Sequence, residues 1–242
     1  MSWHQGRLAA FDLETTGVDS ENDRIVTAAV SLVGGGLETE SHSWLVNPGV
    51  PIPAGATAVH GITDEKAQAE GRPPAEAVEE ITAILASQIQ SGIPVIAFNA
   101  RFDLTFMDRE ARRNDVQPLV DRIGGASEMR VIDPLVLDKQ FDRFRRGKRT
   151  LVAACQHYGI QLDDADAHSS DADAIAAARM AWKLATTFPE LGEAELADIH
   201  AQQIAWAEEQ AASLEQYFRS KGGDETVERA WPFVPLAASN VS

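Results

Sequence analysis

One cysteine, Cys155, stands among 242 residues, so no disulfide can form within the chain. No apolar run approaches the roughly 18 to 20 residues that cross a bilayer. The first residues also lack the charged-then-apolar layout of a secretory signal, so the expected location is cytoplasmic. Positive charge is scarce: 21 Lys and Arg face 37 Asp and Glu, a formal net charge of -16. That balance argues against broad, sequence-independent binding to duplex nucleic acid by phosphate neutralisation. It still permits an enzyme that grips a few nucleotides through metal ions. Cys and His do not cluster, which argues against zinc. There is no internal repeat and no low-complexity segment. What is present, 44% hydrophobic and 24% charged residues, is ordinary for a soluble globular chain long enough to bury a sizeable core.

The most informative stretch is Phe11-Asp12-Leu13-Glu14-Thr15-Thr16-Gly17. Leu8 to Phe11 form an apolar run suited to a buried strand, and the run ends in two carboxylates one residue apart. Side chains alternate across a strand, so Asp12 and Glu14 share a face. Two like charges at the end of a core strand repel and lose hydration, and a cation between them relieves both costs. Taken alone, the pair fits a solvated strand end equally well. Thr15 to Gly17 read as a turn, with Gly17 free to adopt positive φ.

Further along, Ile25 to Leu32 and Leu37 to Val46 read as strands paired in an antiparallel hairpin across Gly34-Gly35-Gly36, with His42 on the strand surface. Pro48, Pro51 and Pro53 predict a loop that carries His60 and Gly61. A helix follows from about Ala75 to Gln88, and a short buried strand spans Pro94 to Phe98. That strand gives way at Asn99-Ala100-Arg101-Phe102-Asp103 to a helix reaching about Arg113. Asp133 before Pro134 fits a helix N-cap. Arg143, Arg145, Arg146, Lys148 and Arg149 place five cations in seven residues with no acid among them, a local place for phosphates or a solvated basic loop. A helix from Thr150 to about Tyr158 turns Cys155 inward as a small core residue. An Ala-rich helix runs from about Ser170 to Thr186, with Asp173 in its first turn and His168 on the loop before it. Beyond Phe188, Pro189 and Gly192, one long helix over 193–221 shows a stripe of Ile204, Ala207, Ala211, Leu214 and Phe218. The tail containing Trp231 is either docked or disordered.

Asp12, Glu14, Asp103 and Asp173 are thus four acids at the ends of separate elements, with His168 five residues before the last. Hard oxygen donors of this kind suit Mg2+ or Mn2+. Two such ions can polarise a phosphodiester, and a neighbouring histidine can take a proton from the attacking water.

These segments resemble the motifs of the DnaQ-like 3′–5′ exonucleases, and within them the DEDDh branch, named for four acids and a histidine. The resemblance rests on residues 11–17, Val59-His60-Gly61-Ile62-Thr63, Phe98-Asn99-Ala100-Arg101-Phe102-Asp103, His168 through Asp173, and Gly147 to Leu151. Phe98 departs from the pattern, where histidine is frequent. The resemblance implies an α/β RNase H-like fold: a mixed central sheet whose first three strands are antiparallel, flanked by helices, plus a C-terminal helical extension. It implies an exonuclease domain over 1–188 and an extension over 189–242. It assigns two Mg2+ or Mn2+ ions to Asp12, Glu14, Asp103 and Asp173, and the general base to His168. It places Leu13, Thr15, Thr16, His60, Asn99 and Phe102 around the 3′-terminal nucleotide. The activity implied is release of nucleoside monophosphates from single-stranded DNA, of the proofreading or repair type. An RNA-directed relative is the alternative, as is a module that docks on a polymerase through the C-terminal helix. The acidic surface predicts distributive action.

Overall fold

In the computed structural model, which describes residues 2–162 and 169–236, β1 (Arg7–Thr15) is the centre of the sheet. It pairs with β2 (Ile25–Gly34) in antiparallel register, Asp12 opposite Ala29 and Glu14 opposite Thr27. β2 pairs in turn with β3 (Glu40–Leu45), also antiparallel. Gly34, Gly35 and Gly36 all have positive φ, 80°, 66° and 72°, the region where a residue without Cβ meets little steric cost. The remaining strands, β4 (Val95–Ile96) and β5 (Val131–Ile132), run parallel to β1 and complete the order β3-β2-β1-β4-β5. This is the mixed α/β sheet expected from the sequence.

Between β3 and the third helix the expected loop is instead two short helices, α1 (Ala54–His60) and α2 (Asp64–Glu70). Three prolines obscure them in sequence. Yet Pro53 lies immediately before the first turn of α1, where its missing N–H costs nothing, and Gly61 ends that helix with φ 74°. Thr63 caps α2 by accepting the Lys66 N–H. His60 is therefore the last residue of a helix.

The two faces of the sheet are covered separately. On one face Ala9, Phe11 and Leu13 pack against α3 (Pro74–Gln90) and α4 (Ala100–Arg113) through Ile81, Leu85, Leu104 and Phe106. A short helix, α5 (Leu119–Arg122), leads on to β5. On the other face Leu8 and Ala10 meet Leu137 of α6 (Pro134–Phe141), Ala154 of α7 (Leu151–Tyr158), and α8 (Ser170–Thr187). The α8 surface is built from Ala174, Ala177, Ala178 and Ala181, all buried. Side chains this small let the helix lie close on β1, which fixes the height of Asp173 above the strand.

After α9 (Pro189–Glu193), α10 spans Leu196–Ser220. Its expected apolar stripe packs only in part, through Ala207 and Ala211. Ile204 and Leu214 remain 44% and 41% exposed, whereas Ile199, His200, Gln203, Ala207, Ala211 and Glu215 are buried. The reason lies in β5, whose outer edge has no neighbouring strand. His200 Nδ1 accepts the Val131 N–H at 3.1 Å, Gln203 Oε1 accepts the Asp133 N–H at 2.7 Å, and Gln203 Nε2 donates to the Val131 carbonyl at 2.9 Å. Unpaired buried backbone groups are costly, so two polar side chains on the inner face outweigh apolar periodicity. The tail beyond α10 is docked through Trp231, which is buried and whose indole N–H donates to Asp133 Oδ2 at 3.2 Å. Among the described residues no helix is long and apolar enough to cross a membrane.

Candidate active site

The acids expected at the site converge from three elements. Residues of β1 alternate between the two cores, and the face that begins with Leu8 and Ala10 continues as Asp12 and Glu14 under the N-terminus of α8. Carboxylate oxygens of Asp12, Glu14 and Asp173 all lie within 4.8 Å of one another. Asp103 reaches the same strand end from α4. β4 stops at Ile96, so β1 runs past it with backbone N–H groups that no strand can pair. The buried Asp103 carboxylate takes one of them, accepting the Leu13 N–H at 3.1 Å. Asp103 lies inside the first turn of α4, and the N-cap position belongs to Asn99.

The electrostatics record the strain of this gathering. Burial, and then the carboxylates of Asp103, Asp173 and Glu14, push Asp12 well above the ordinary carboxylate range. Burial, and then Asp173, raise Glu14 to about 7. Asp103 is pushed up chiefly by burial, against the opposing hydrogen bonds from its own N–H and that of Leu13. Like charges this close do not all ionise without a counter-charge. The donor set, three converging carboxylates with a fourth beside them, fits a hard divalent cation.

The residues expected around the terminal nucleotide flank these acids. Leu13 is buried between the two carboxylates on the opposite face of β1. Thr15 and Thr16 are buried, with Thr15 Oγ1 donating to the Gly17 carbonyl at 2.6 Å and Thr16 Oγ1 to Asp23 Oδ1 at 3.0 Å. Gly17 does not use the positive φ open to it. A Cβ there would overlap the Asp23 carboxylate, which would have to move aside. His60 sits beside the Thr15 backbone and is held below the ordinary histidine range by burial. Its Nδ1 accepts the Ile62 N–H at 3.1 Å, while its buried Nε2 has no hydrogen-bond partner among the described residues. Asn99 adopts the left-handed region, φ 67°, and the Phe102 ring stands 4.7 Å from that of Phe106. His168 lies outside the described residues.

Two features were not legible as parts of the site. Asp133, read as a plain N-cap, does accept the Leu135 N–H, but it also accepts those of Asn99 and Ala100, each at 2.9 Å, besides the Trp231 indole. It thereby ties β5, the start of α4 and the tail together. The signal was faint: the same strand-then-acid layout as at Asp12, overshadowed by the Pro that follows. Second, the basic loop is partly internal. Arg145 and Arg149 clamp the buried Asp138 at 2.8 and 2.6 Å, and Tyr158 donates to the same carboxylate.

Comparison with known proteins agrees with this geometry. The exonuclease family profile, RNase_T, matches residues 9–181. The chain is 33% identical over 180 residues to a DNA polymerase III subunit epsilon-like protein of Rhodobacter capsulatus, covering 73% of this chain and 23% of that protein. It is 28% identical over 127 residues to the PolC-type DNA polymerase III of Streptococcus agalactiae, covering 51% and 8%. Among solved structures, exonuclease I superposes with a TM-score of 0.66 at 21% identity, over 78% of this chain and 43% of that one. E. coli exonuclease I in complex with a dA16 oligonucleotide gives 0.65 at 21%, over 78% and 42%. The chain thus spans less than a quarter of these curated relatives and less than half of these solved chains. Their shared fold is the RNase H-like sheet described above.

Proposed function

From the membership of this chain in the DnaQ-like exonuclease family, matched over residues 9–181, we propose that it is a metal-dependent 3′–5′ exonuclease that releases nucleoside monophosphates from single-stranded DNA. The observation that carries this reading is the convergence of Asp12, Glu14 and Asp173 oxygens within 4.8 Å, with Asp103 on the same strand end.

In this reading Asp12, Glu14 and Asp173 hold two Mg2+ or Mn2+ ions, with Asp103 completing the acidic set. Bound there, the ions supply charge neutralisation and polarisation of the scissile phosphodiester and of the attacking water. His168 accepts the proton of that water. The unsatisfied Nε2 of His60, beside the Thr15 backbone, is available to a polar group of the terminal nucleotide. Phe102 offers a ring for its base, and Asn99 and the backbone of Leu13 to Thr16 line its path. DNA rather than RNA is favoured by the DNA-polymerase relatives and by the presence of the 189–242 extension. Because that extension is tied to β5 and Asp133, its first role in this reading is to support the site, and docking on a polymerase would be additional.

The test is digestion of matched single-stranded DNA and RNA oligomers with and without Mg2+. Faster loss of 3′-terminal nucleotides from DNA is expected. Faster loss from RNA would move the protein to the RNA-directed branch, and no loss from either would contradict the reading.

A further inference from the structure

Four cations of this acidic chain, Arg101, Lys139, Arg143 and Arg149, line a series of depressions that begins beside Phe102. A cleft beside Phe102 is lined by Asn99, which precedes α4, by Arg101 in its first turn, and by Glu228 and Val234 of the tail. The next depression shares Asn99 and Arg101 and adds Lys139, Gln210, Leu214 and Trp231. A third shares Lys139, Gln210 and Leu214 and opens outward past Arg143, Arg149 and Tyr217. The three depressions adjoin one another across these shared residues, with α4, α6 and the basic loop contributing one set of lining residues and α10 with the tail the other.

We infer that together they form a groove that receives the single strand upstream of the 3′ terminus, with Lys139 and Arg143 meeting its phosphates and Tyr217 stacking on a base. This rests on the exonuclease reading of the acidic site. Three observations support it. Lys139 is half-buried, yet has no ion pair or hydrogen bond among the described residues; the charges around it are the acids Asp133 and Asp138 and the cations Arg101 and Arg149. Both acids are already engaged by other donors, Asp133 by Asn99, Ala100, Leu135 and Trp231 and Asp138 by Arg145, Arg149 and Tyr158, so the half-buried ammonium keeps its donors for a further anion. Arg143 likewise has no acid partner among the described residues, while its neighbours Arg145 and Arg149 spend their charge on Asp138 and hold the loop in place. Tyr217 is 56% exposed, with the Lys221 ammonium 5.7 Å from its ring centre. A cationic groove interleaved with aromatic rings is the arrangement that holds single strands without reading sequence. The acids on the walls are few: Glu209 lies at the outer end, Glu228 at the inner one, where its carbonyl is held by Arg101, and Asp133 is already bound by four donors.

The experiment is fluorescence anisotropy of labelled dT12 and dT3 with the full chain in EDTA, which separates binding from hydrolysis. The parent should bind dT12 at least ~10-fold more tightly than dT3. In K139Q/R143Q the dT12 affinity should fall about 10-fold and the salt slope by roughly 1.4, two phosphate contacts at about 0.7 each. The charge-retaining K139R/R143K should restore both, which excludes misfolding as the cause. Equal affinities for dT12 and dT3, or an unchanged slope in K139Q/R143Q, would overturn the groove. Groove-dependent binding by a parent that hydrolyses nothing in Mg2+ would leave the groove standing and contradict the exonuclease reading alone.

Discussion

Asp103 on α4 accepts the Leu13 N–H at 3.1 Å across 90 positions of sequence, so the helix acid and the strand carrying Asp12 and Glu14 are one unit. The carboxylate stabilises the strand end as a hydrogen-bond acceptor and destabilises it as a buried charge. These two roles are separable by substitution.

Asp103→Ala removes the acceptor and leaves the Leu13 N–H buried without a partner, at a cost of about 1 to 3 kcal/mol. A thermal midpoint lowered by about 2 to 10 °C is expected in EDTA. Asp103→Asn keeps an acceptor oxygen and removes the like-charge repulsion, so its midpoint should equal or exceed that of the parent. Both variants should lose Mg2+-dependent nucleotide release. Calorimetry and a digestion assay on the same preparations check the pair, and activity surviving in Asp103→Asn would remove Asp103 from the acidic set.

His168→Ala should slow the chemical step by roughly 10² to 10⁴-fold, the span of general-base contributions, while leaving the affinity for Mg2+ unchanged. Single-turnover digestion and metal titration by calorimetry read the two effects separately. Parental single-turnover rates would take His168 out of the proton-transfer role.

Truncation after Phe188 removes His200, Gln203 and Trp231 together. That leaves the outer edge of β5 unsatisfied and takes away one of the four donors to Asp133, beside uncovered apolar surface. The truncated chain should unfold at least ~10 °C lower, beyond the few degrees that one lost interaction moves a chain of this size, and should lose activity with stability. A parental midpoint and rate in 1–188 would show that the extension is a dispensable arm.

His200 is buried and accepts from Val131, and desolvation lowers its pKa from 6.5 to about 4. Between those values the unfolded chain binds a proton that the native chain refuses. The His200 contribution to stability is therefore complete above pH 6.5 and is lost as pH falls towards 4, by about 3 kcal/mol at the full shift. His200→Gln should flatten the profile of urea midpoint against pH in that window. Profiles of equal slope in variant and parent would contradict the assignment.

The parts of the fold that were legible in sequence are those where local pattern and tertiary demand coincide. The apolar run into Asp12 and Glu14 reads as a core strand because both faces of β1 are buried up to that point. The α8 alanines read as a helix, and their smallness is what sets Asp173 over the strand. Asp12, Glu14, Asp103 and Asp173 converge as expected. The failures occurred where a tertiary partner decided the outcome. Beyond Ala207 and Ala211, the packed face of α10 is set by unpaired groups on β5, with four helices between the two in the chain, which no periodicity on α10 encodes. α1 is masked by prolines that disfavour regular structure everywhere except at a helix start. Asp133 gathers donors from Asn99, Ala100, Leu135 and Trp231, and only the third is close in sequence.

The central claim is that Asp12, Glu14, Asp103 and Asp173 serve metal-dependent cleavage from the 3′ end. The most direct measurement is digestion of one single-stranded DNA oligomer labelled separately at its 3′ and 5′ ends, with parent and Asp12→Ala, in Mg2+ and in EDTA. The account predicts immediate release of the 3′ label as mononucleotide and stepwise shortening of the 5′-labelled strand, by the parent in Mg2+ only. Release of the 5′ label first, internal cuts, or undiminished digestion by Asp12→Ala would contradict it.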